Sequence, residues 1–212
     1  MNSPSFNNEE ILVPLFEELD VTSQDRTVIN GFLQSIKDKD LKTYEHSIRV
    51  GLLTAKIDRF MHLEPKALLF AGLLHDLGKI KTPLKTLNKT KNWSKIDLKI
   101  IKQHVLAGYK ILKDEFDFTA EIILRHHRFQ ENAYPQKLPP SLHKYSSKTK
   151  DLILFYARLL TLADVYDALH RENEKFGKNR KLTGIEIKKK MLELNSDKQE
   201  LVKDLYKAKI LF

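Results

Sequence analysis

Polar side chains that interrupt apolar helical faces are where this sequence could do chemistry, and the densest such stretch is Leu74-His75-Asp76-Leu77-Gly78-Lys79. Ala67 to Leu74 is an almost unbroken apolar run, opened by Pro65 at a position suited to a first turn and closed by Gly78. The pattern predicts a buried helix that delivers an imidazole and a carboxylate side by side into the interior. A lone buried carboxylate is too costly to persist, so it must be paired, hydrogen-bonded or bound to a cation. Taken alone, the dipeptide also fits a core histidine beside a helix-terminal aspartate. Further positions repeat the anomaly. His46 lies in a stripe with Val50, Leu53 and Ile57, and His104 in one with Ile100, Ile101, Ala107 and Ile111. His126 and His127 follow Ile122 and Ile123, and Asp164 interrupts the apolar segment from Leu152 to Leu169.

Five imidazoles and two carboxylates on five helices call for a common explanation, and a shared metal site supplies one. The chain has no cysteine, which removes disulfides, thiolate nucleophiles and Cys-ligated zinc or iron–sulfur sites. Ligands of the remaining types suit Fe, Mn, Co, Ni or Zn. Seven exceed the needs of one ion, so two divalent ions bridged by Asp76 is the economical arrangement. Two metals about 3.5–4 Å apart can hold a hydroxide and clamp the oxygens of a phosphoryl group, which predicts phosphoester hydrolysis. The remaining histidines, His62, His143 and His170, lie outside these faces and receive no role.

Behind these positions stands a helical periodicity with no strand-like alternation. Apolar stripes predict helices over residues 8–19, from Thr22 or Ser23 to about Ile36, over Leu41–Phe60 and up to Leu74. Ser94 with Asp97 resembles a capping box, Thr119 can cap the next helix, and Leu152–Leu169 is apolar nearly all round. Arg128 to Lys150, with Pro135, Pro139 and Pro140, predicts a loop or lid. Thr183 with Glu186 and Ser196 with Gln199 resemble capping boxes for two short C-terminal helices. The expected fold is an all-α bundle of eight or nine helices. Residues 1–39 form a short helical segment packed on the core, 40–172 the core itself, and 173–212 a C-terminal extension of the same domain.

With 212 residues and 42% hydrophobic content, the chain can bury such a polar cluster. Its formal charge of +9, from 37 Lys and Arg against 28 Asp and Glu, favours anionic partners without choosing among nucleotides, nucleic acid and lipid headgroups. The N-terminus lacks a basic stretch followed by an apolar core, and no run reaches the length of a membrane span, so the expectation is a cytoplasmic protein without a membrane partner.

His46, His75-Asp76-Leu-Gly-Lys79, His104 with Gly108, His126-His127, Tyr134-Pro135 and Ala163-Asp164-Val-Tyr-Asp167-Ala-Leu together resemble the HD superfamily of metal-dependent phosphohydrolases. The resemblance is to its HD-GYP branch, which hydrolyses the bacterial second messenger cyclic di-GMP, and covers about residues 41–170. It implies one metal on His46, His75, Asp76 and Asp164 and another on Asp76, His104, His126 and His127, with iron or manganese as the expected ions. It further implies that Lys79 contacts the substrate phosphate and absorbs oxyanion charge. A helix C-terminal cation offsetting the macrodipole is the other reading of Lys79.

Departures from the branch concern substrate recognition. The signature Gly-Tyr-Pro reads Ala133-Tyr134-Pro135, and the approach from His127 is one residue shorter. Arg128 stands where a glutamate is usual, and Lys42 where some members carry a glutamate for a third metal. The branch's Arg-Pro-Tyr-Arg segment falls on Asn173-Glu174-Lys175-Phe176. Arg128 and Tyr134, with Lys79, are the expected substrate residues, while Lys81, Lys85 and Arg125 are candidates to replace the missing arginines. The expected function is a phosphodiesterase of cyclic di-GMP or a related cyclic dinucleotide, with Asp76 and Lys79 as its catalytic residues. The alternatives are an HD phosphohydrolase for another nucleotide and a non-catalytic signalling module that binds a ligand or a regulatory partner protein; nucleic acid is not the expected partner.

Overall fold

The structure, a computed structural model, describes residues 8–141, 143–171 and 180–212. Its elements in order are α1 (Asn8–Glu18), α2 (Ser23–Lys39), α3 (Leu41–Met61), α4 (Pro65–Leu74), a 3-10 turn (Leu77–Lys81), α5 (Leu84–Leu87), α6 (Lys95–Lys102), α7 (His104–Leu112), α8 (Asp117–Ile123), α9 (Ser147–Leu169), α10 (Gly184–Leu194), a second 3-10 turn (Ser196–Lys198) and α11 (Gln199–Lys207). No strand occurs among the described residues, and the architecture is an all-α bundle.

Eleven α-helices among the described residues exceed the eight or nine expected. Two local causes account for the excess. The helix predicted from Ser94 onward divides at Gln103 into α6 and α7, and the lysine-rich loop folds a single turn, α5. Thr119 lies inside α8 rather than at its cap, which Phe116 occupies. Ser196 opens a 3-10 turn instead of a capping box. α9 begins five residues before Leu152, because the Ser146 hydroxyl accepts the Thr149 N–H at 3.1 Å and caps the helix there. The boxes at Ser94–Asp97 and Thr183–Glu186 both form.

α4 is apolar on all sides because it is surrounded: it packs on α2, α3, α8 and α9. Leu68, Leu69, Leu73 and Leu74 are each fully buried, and every such side chain contributes about 1.5–3 kcal/mol of hydrophobic stabilisation. Its approach to α3 is close because glycines meet there. A Cβ on Gly72 would overlap Thr54 Oγ1 and Gly51 Cα, so the two helices touch backbone to backbone. α9 packs on α3, α4 and α8 and so brings Asp164 to their junction. One hydrophobic cluster runs through all of this: it takes in Leu12, Phe16 and Ile29 from α1 and α2, and Met191, Val202 and Leu205 from α10 and α11. No described helix is long and apolar enough to cross a membrane.

Candidate metal centre

All seven predicted side chains converge at the junction of α3, α4, α7, α8 and α9, and each is buried, from fully enclosed His75 and His126 to 8% exposure at His127 and Asp164. Helix ends deliver most of them. Near the C-terminus of a helix the last carbonyls lack intrahelical partners. Here Gly72 O, Ile101 O and Ile123 O, in the last turns of α4, α6 and α8, lie 2.8, 2.6 and 2.6 Å from Nδ1 of His75, His104 and His126. A carbonyl can only accept, so Nδ1 carries the proton in all three rings. Nε2 is therefore the nitrogen each ring turns to the cluster, and in His104 and His126, which burial holds neutral, it carries no proton.

His46 reaches the same state through a carboxylate. Its Nδ1 donates to Asp167 Oδ2 at 2.7 Å, and Arg49 holds Asp167 with a two-pronged contact, Nε to Oδ1 at 2.6 Å and Nη2 to Oδ2 at 3.1 Å. Burial pushes the Asp167 carboxyl up, but the bonds from His46 and Arg49 overcome this and hold it far below the ordinary carboxylate range. Asp167 is thus an anion, and Nε2 is the nitrogen that His46 turns to the cluster.

The consequence is a crowd of ring nitrogens and carboxylate oxygens. His46 Nε2 lies 3.1 Å from His75 Nε2, 3.2 Å from Asp164 Oδ1 and 3.5 Å from Asp76 Oδ2, while His75 Nε2 lies 3.3 Å from Asp76 Oδ2 and 3.9 Å from Asp164 Oδ1. On the other side, His104 Nε2 faces Asp76 Oδ1 at 3.4 Å. His104 Nε2, His126 Nε2 and His127 Nδ1 are buried with no hydrogen-bond partner. Lone pairs and carboxylate oxygens gathered in this way repel unless a proton or a cation lies among them.

Burial drives the imidazoles toward neutrality, lowering His104 to about 4 and His126 to about 3, and His127 well below its ordinary value. His75 runs the other way: burial lowers it, but the charges and hydrogen bond of Asp76 and the charge of Asp164 raise it on balance. Burial pushes Asp76 up, yet Lys79 and His75 hold it well below the usual carboxylate range; Asp164 is held low by His46 and His75 in the same manner.

Ligand-bearing atoms fall into three overlapping groups, His46–His75–Asp76, His75–His126–Asp164 and His104–His126–His127, each with its atoms within 4.8 Å of one another. Asp76, with one oxygen toward His46 and His75 and the other toward His104, joins the two halves of the cluster. The unpartnered ring nitrogens and the donor chemistry fit a pair of divalent transition-metal ions.

Of the expected substrate residues, two touch the cluster. Lys79 Nζ donates to Asp76 Oδ2 at 2.5 Å. Tyr134 stacks on the His127 ring, centroids 4.4 Å apart and planes 24° from parallel, and its hydroxyl is raised well above its ordinary value by burial and then by the charges of Asp164 and Asp76. Arg128 is exposed one residue past His127, and Arg125 is engaged by Glu121. Lys81 and Lys85 are exposed. The Asn173–Phe176 stretch lies outside the described residues.

Sequence reasoning assigned no role to Asp167 or Arg49. Each stands three residues from a site residue, Asp164 and His46 respectively, and so on the same helical face. That spacing was the available signal.

A family model described as the HD domain matches residues 43–169. The chain belongs to the HD domain family. This HD chain is 34% identical over 108 residues to a cyclic di-GMP phosphodiesterase of Thermotoga maritima, covering 47% of this chain and 29% of that protein. It is 31% identical over 145 residues to a cyclic di-GMP phosphodiesterase of Pseudomonas aeruginosa, covering 65% and 32%. The chain thus spans about a third of the length of these curated relatives. Its fold is similar to the HD domain of an L. monocytogenes phosphodiesterase solved with cyclic di-AMP, with a TM-score of 0.57, 19% identity, and coverage of 79% of this chain and 82% of that one.

Proposed function

We propose that this HD domain is a metal-dependent phosphodiesterase of the HD-GYP branch, acting on cyclic di-GMP or a related cyclic dinucleotide. The observation that carries the reading is the gathering of His46 Nε2, His75 Nε2, Asp76 and Asp164 within 3.1–3.9 Å in the core, beside the unpartnered His104 Nε2, His126 Nε2 and His127 Nδ1. Similarity to cyclic di-GMP phosphodiesterases supports the substrate class.

His46, His75, Asp76 and Asp164 would hold one ion and Asp76, His104, His126 and His127 the second, iron or manganese by donor type. When bound, such a pair supplies Lewis-acid charge to the phosphoryl oxygens and lowers the pKa of the attacking water. The chain's own residues do the rest. Asp76 sits between the two halves and fixes their separation. Lys79, now neutralising Asp76, turns its ammonium to a non-bridging phosphoryl oxygen, where charge develops. Tyr134 closes the cavity over His127 and keeps bulk water from it. Residues 40–172 act as the catalytic core, 1–39 and 173–212 as helical extensions of it, in a cytoplasmic bacterial signalling protein with a regulatory partner.

Retention of all seven candidate ligands argues against a module without metal, in which His104 Nε2, His126 Nε2 and His127 Nδ1 would stay buried and unpartnered. The test is to load the protein with Fe(II) or Mn(II), add cyclic di-GMP, and follow linear product by chromatography. Turnover that needs the metal and is lost in Asp76→Asn is expected. No turnover with either metal rejects this substrate, and a panel of other nucleotides then tests the wider phosphohydrolase reading.

A further inference from the structure

Several cations touch side chains of the centre, and most of them lie against a carboxylate. Lys79 is bound to Asp76 at 2.5 Å; Arg49 is bound to Asp167, and Arg171 Nε lies 3.9 Å from the same carboxylate. Lys102 differs. Its Nζ stands 5.2 Å from the centroid of the Tyr134 ring, the ring that stacks on His127, and no carboxylate lies within ion-pair distance of it among the described residues.

A helix C-terminus attracts cations, and Lys102 lies in the last turn of α6. Lys99 shares that turn and is exposed, which is the position macrodipole compensation calls for. Lys102 is half-buried instead, its ammonium over the ring of Tyr134. Its place is fixed by the break at Gln103, which sets it two residues before His104. An unpaired ammonium held beside a site for an anion is a binding group for a second anion.

A cyclic dinucleotide supplies that second charge. It carries two phosphodiesters, of which one reacts while the other remains in the ring with its negative charge intact. Lys79 and the metal ligands serve the reacting one. We propose that Lys102 binds the non-reacting phosphodiester of a cyclic dinucleotide, and so selects two-phosphate rings over single phosphodiesters. The proposal rests on the phosphodiesterase reading above.

The experiment uses the Mn(II)-loaded protein and two substrates, cyclic di-GMP and bis(p-nitrophenyl) phosphate, which has one phosphodiester. Lys102→Met is expected to raise KM for cyclic di-GMP roughly five- to tenfold with kcat retained, and to raise the ratio of the two KM values by the same factor. Lys102→Arg, which keeps the charge, restores the ratio. Equal rises in both KM values, an unaltered ratio, or a fall in kcat or metal content without a KM split overturns the proposal and leaves Lys102 as a prop for Tyr134. Wild-type protein that cleaves the simple diester but not cyclic di-GMP overturns the dinucleotide reading itself, and this proposal with it. Wild-type turnover of both, with an unsplit variant, removes Lys102 alone.

Discussion

His46 is held from both sides, and the outer contact decides what the inner nitrogen can do. Asp167 keeps the proton on Nδ1 and leaves Nε2 free, while Arg49 keeps Asp167 ionised and aimed. Asp167→Asn preserves size but removes the anion, and its amide can donate to Nδ1, which moves the ring proton to Nε2. Metal affinity should fall about 10–100-fold, read by competition with a chromophoric chelator, while the far-UV circular dichroism stays that of a folded bundle. The buried imidazoles also set an acid limit. His104 and His126 sit near 4 and near 3 when folded, against about 6.5 when unfolded. Between pH 6.5 and 4 the unfolded chain therefore binds protons that the folded chain refuses, so stability falls as pH falls. His75, raised, opposes this: its contribution is complete below 6.5 and is lost as pH rises through its folded value. Asp76 and Asp164, held low, lose their contribution only below about 3.8. Three lowered imidazoles, His104, His126 and His127, oppose raised His75 and the Asp58 carboxyl, which burial lifts to about 6, and metal-free protein should unfold at lower urea at pH 4 than at pH 7. A metal-free protein equally stable at both values would contradict the protonation states assigned here. At this scale the sequence was legible wherever a polar residue broke an apolar face. Asp167 was not, because its partner Arg49 is 118 residues away and only the packing of α3 on α9 joins them.

Among the elements, the 3-10 turn after α4 carries the tightest contact. A Cβ on Gly78 would overlap His104 O and Gly108 N, both backbone atoms that cannot rotate away. The backbone conformation at Gly78 is open to any residue; the close approach alone demands glycine. That approach is what sets Asp76, at the start of the turn, against His104, at the start of α7. Gly78→Ala must push α7 off the turn, at a cost of about 3 kcal/mol or more, lowering Tm by about 6–12 °C. Gly108→Ala meets Gly78 N at 3.2 Å and the Ile123 side chain at 3.3 Å, contacts that need only a few tenths of an ångström of relief. Its Tm should fall less, and thermal melts of the two variants side by side check the ranking. A Gly108→Ala protein as damaged as Gly78→Ala would show that the turn, not the contact, is at fault. Helices were legible from their stripes and from the boxes at Ser94 and Thr183. The break between α6 and α7 was not: the apolar period runs on through Ile100, Ile101 and His104, and Gln103 is neither glycine nor proline. Nor was the true start of α8, since Thr119 is a good cap residue that tertiary packing placed inside the helix.

For the molecule as a whole, the cluster leaves three buried ring nitrogens without partners, which a bound cation would satisfy. The all-α class and the single hydrophobic cluster were readable from periodicity, but the unpartnered nitrogens at its centre depend on which ring atoms face one another, and no spacing reveals that. Metal that binds only the folded chain stabilises it by about 2.7 kcal/mol at a free concentration of 100 times Kd, or about 5–11 °C in Tm for a domain of this size. His127 separates the two halves of this statement. Its Nδ1 is buried without a partner, and its ring stacks on Tyr134. His127→Phe keeps a stacked ring of similar shape and removes the unpartnered nitrogen. Metal-free Tm should therefore rise by about 2–4 °C, since an unpaired buried polar atom costs about 1 kcal/mol or more. The metal-induced rise should shrink in the same variant, because one member of the His104–His126–His127 group is gone. Calorimetry with and without Mn(II) measures both changes. A variant less stable than the parent without metal would mean that His127 serves the fold, whereas opposite signs in the two scans mean that the folded chain sacrifices stability to keep a metal centre ready.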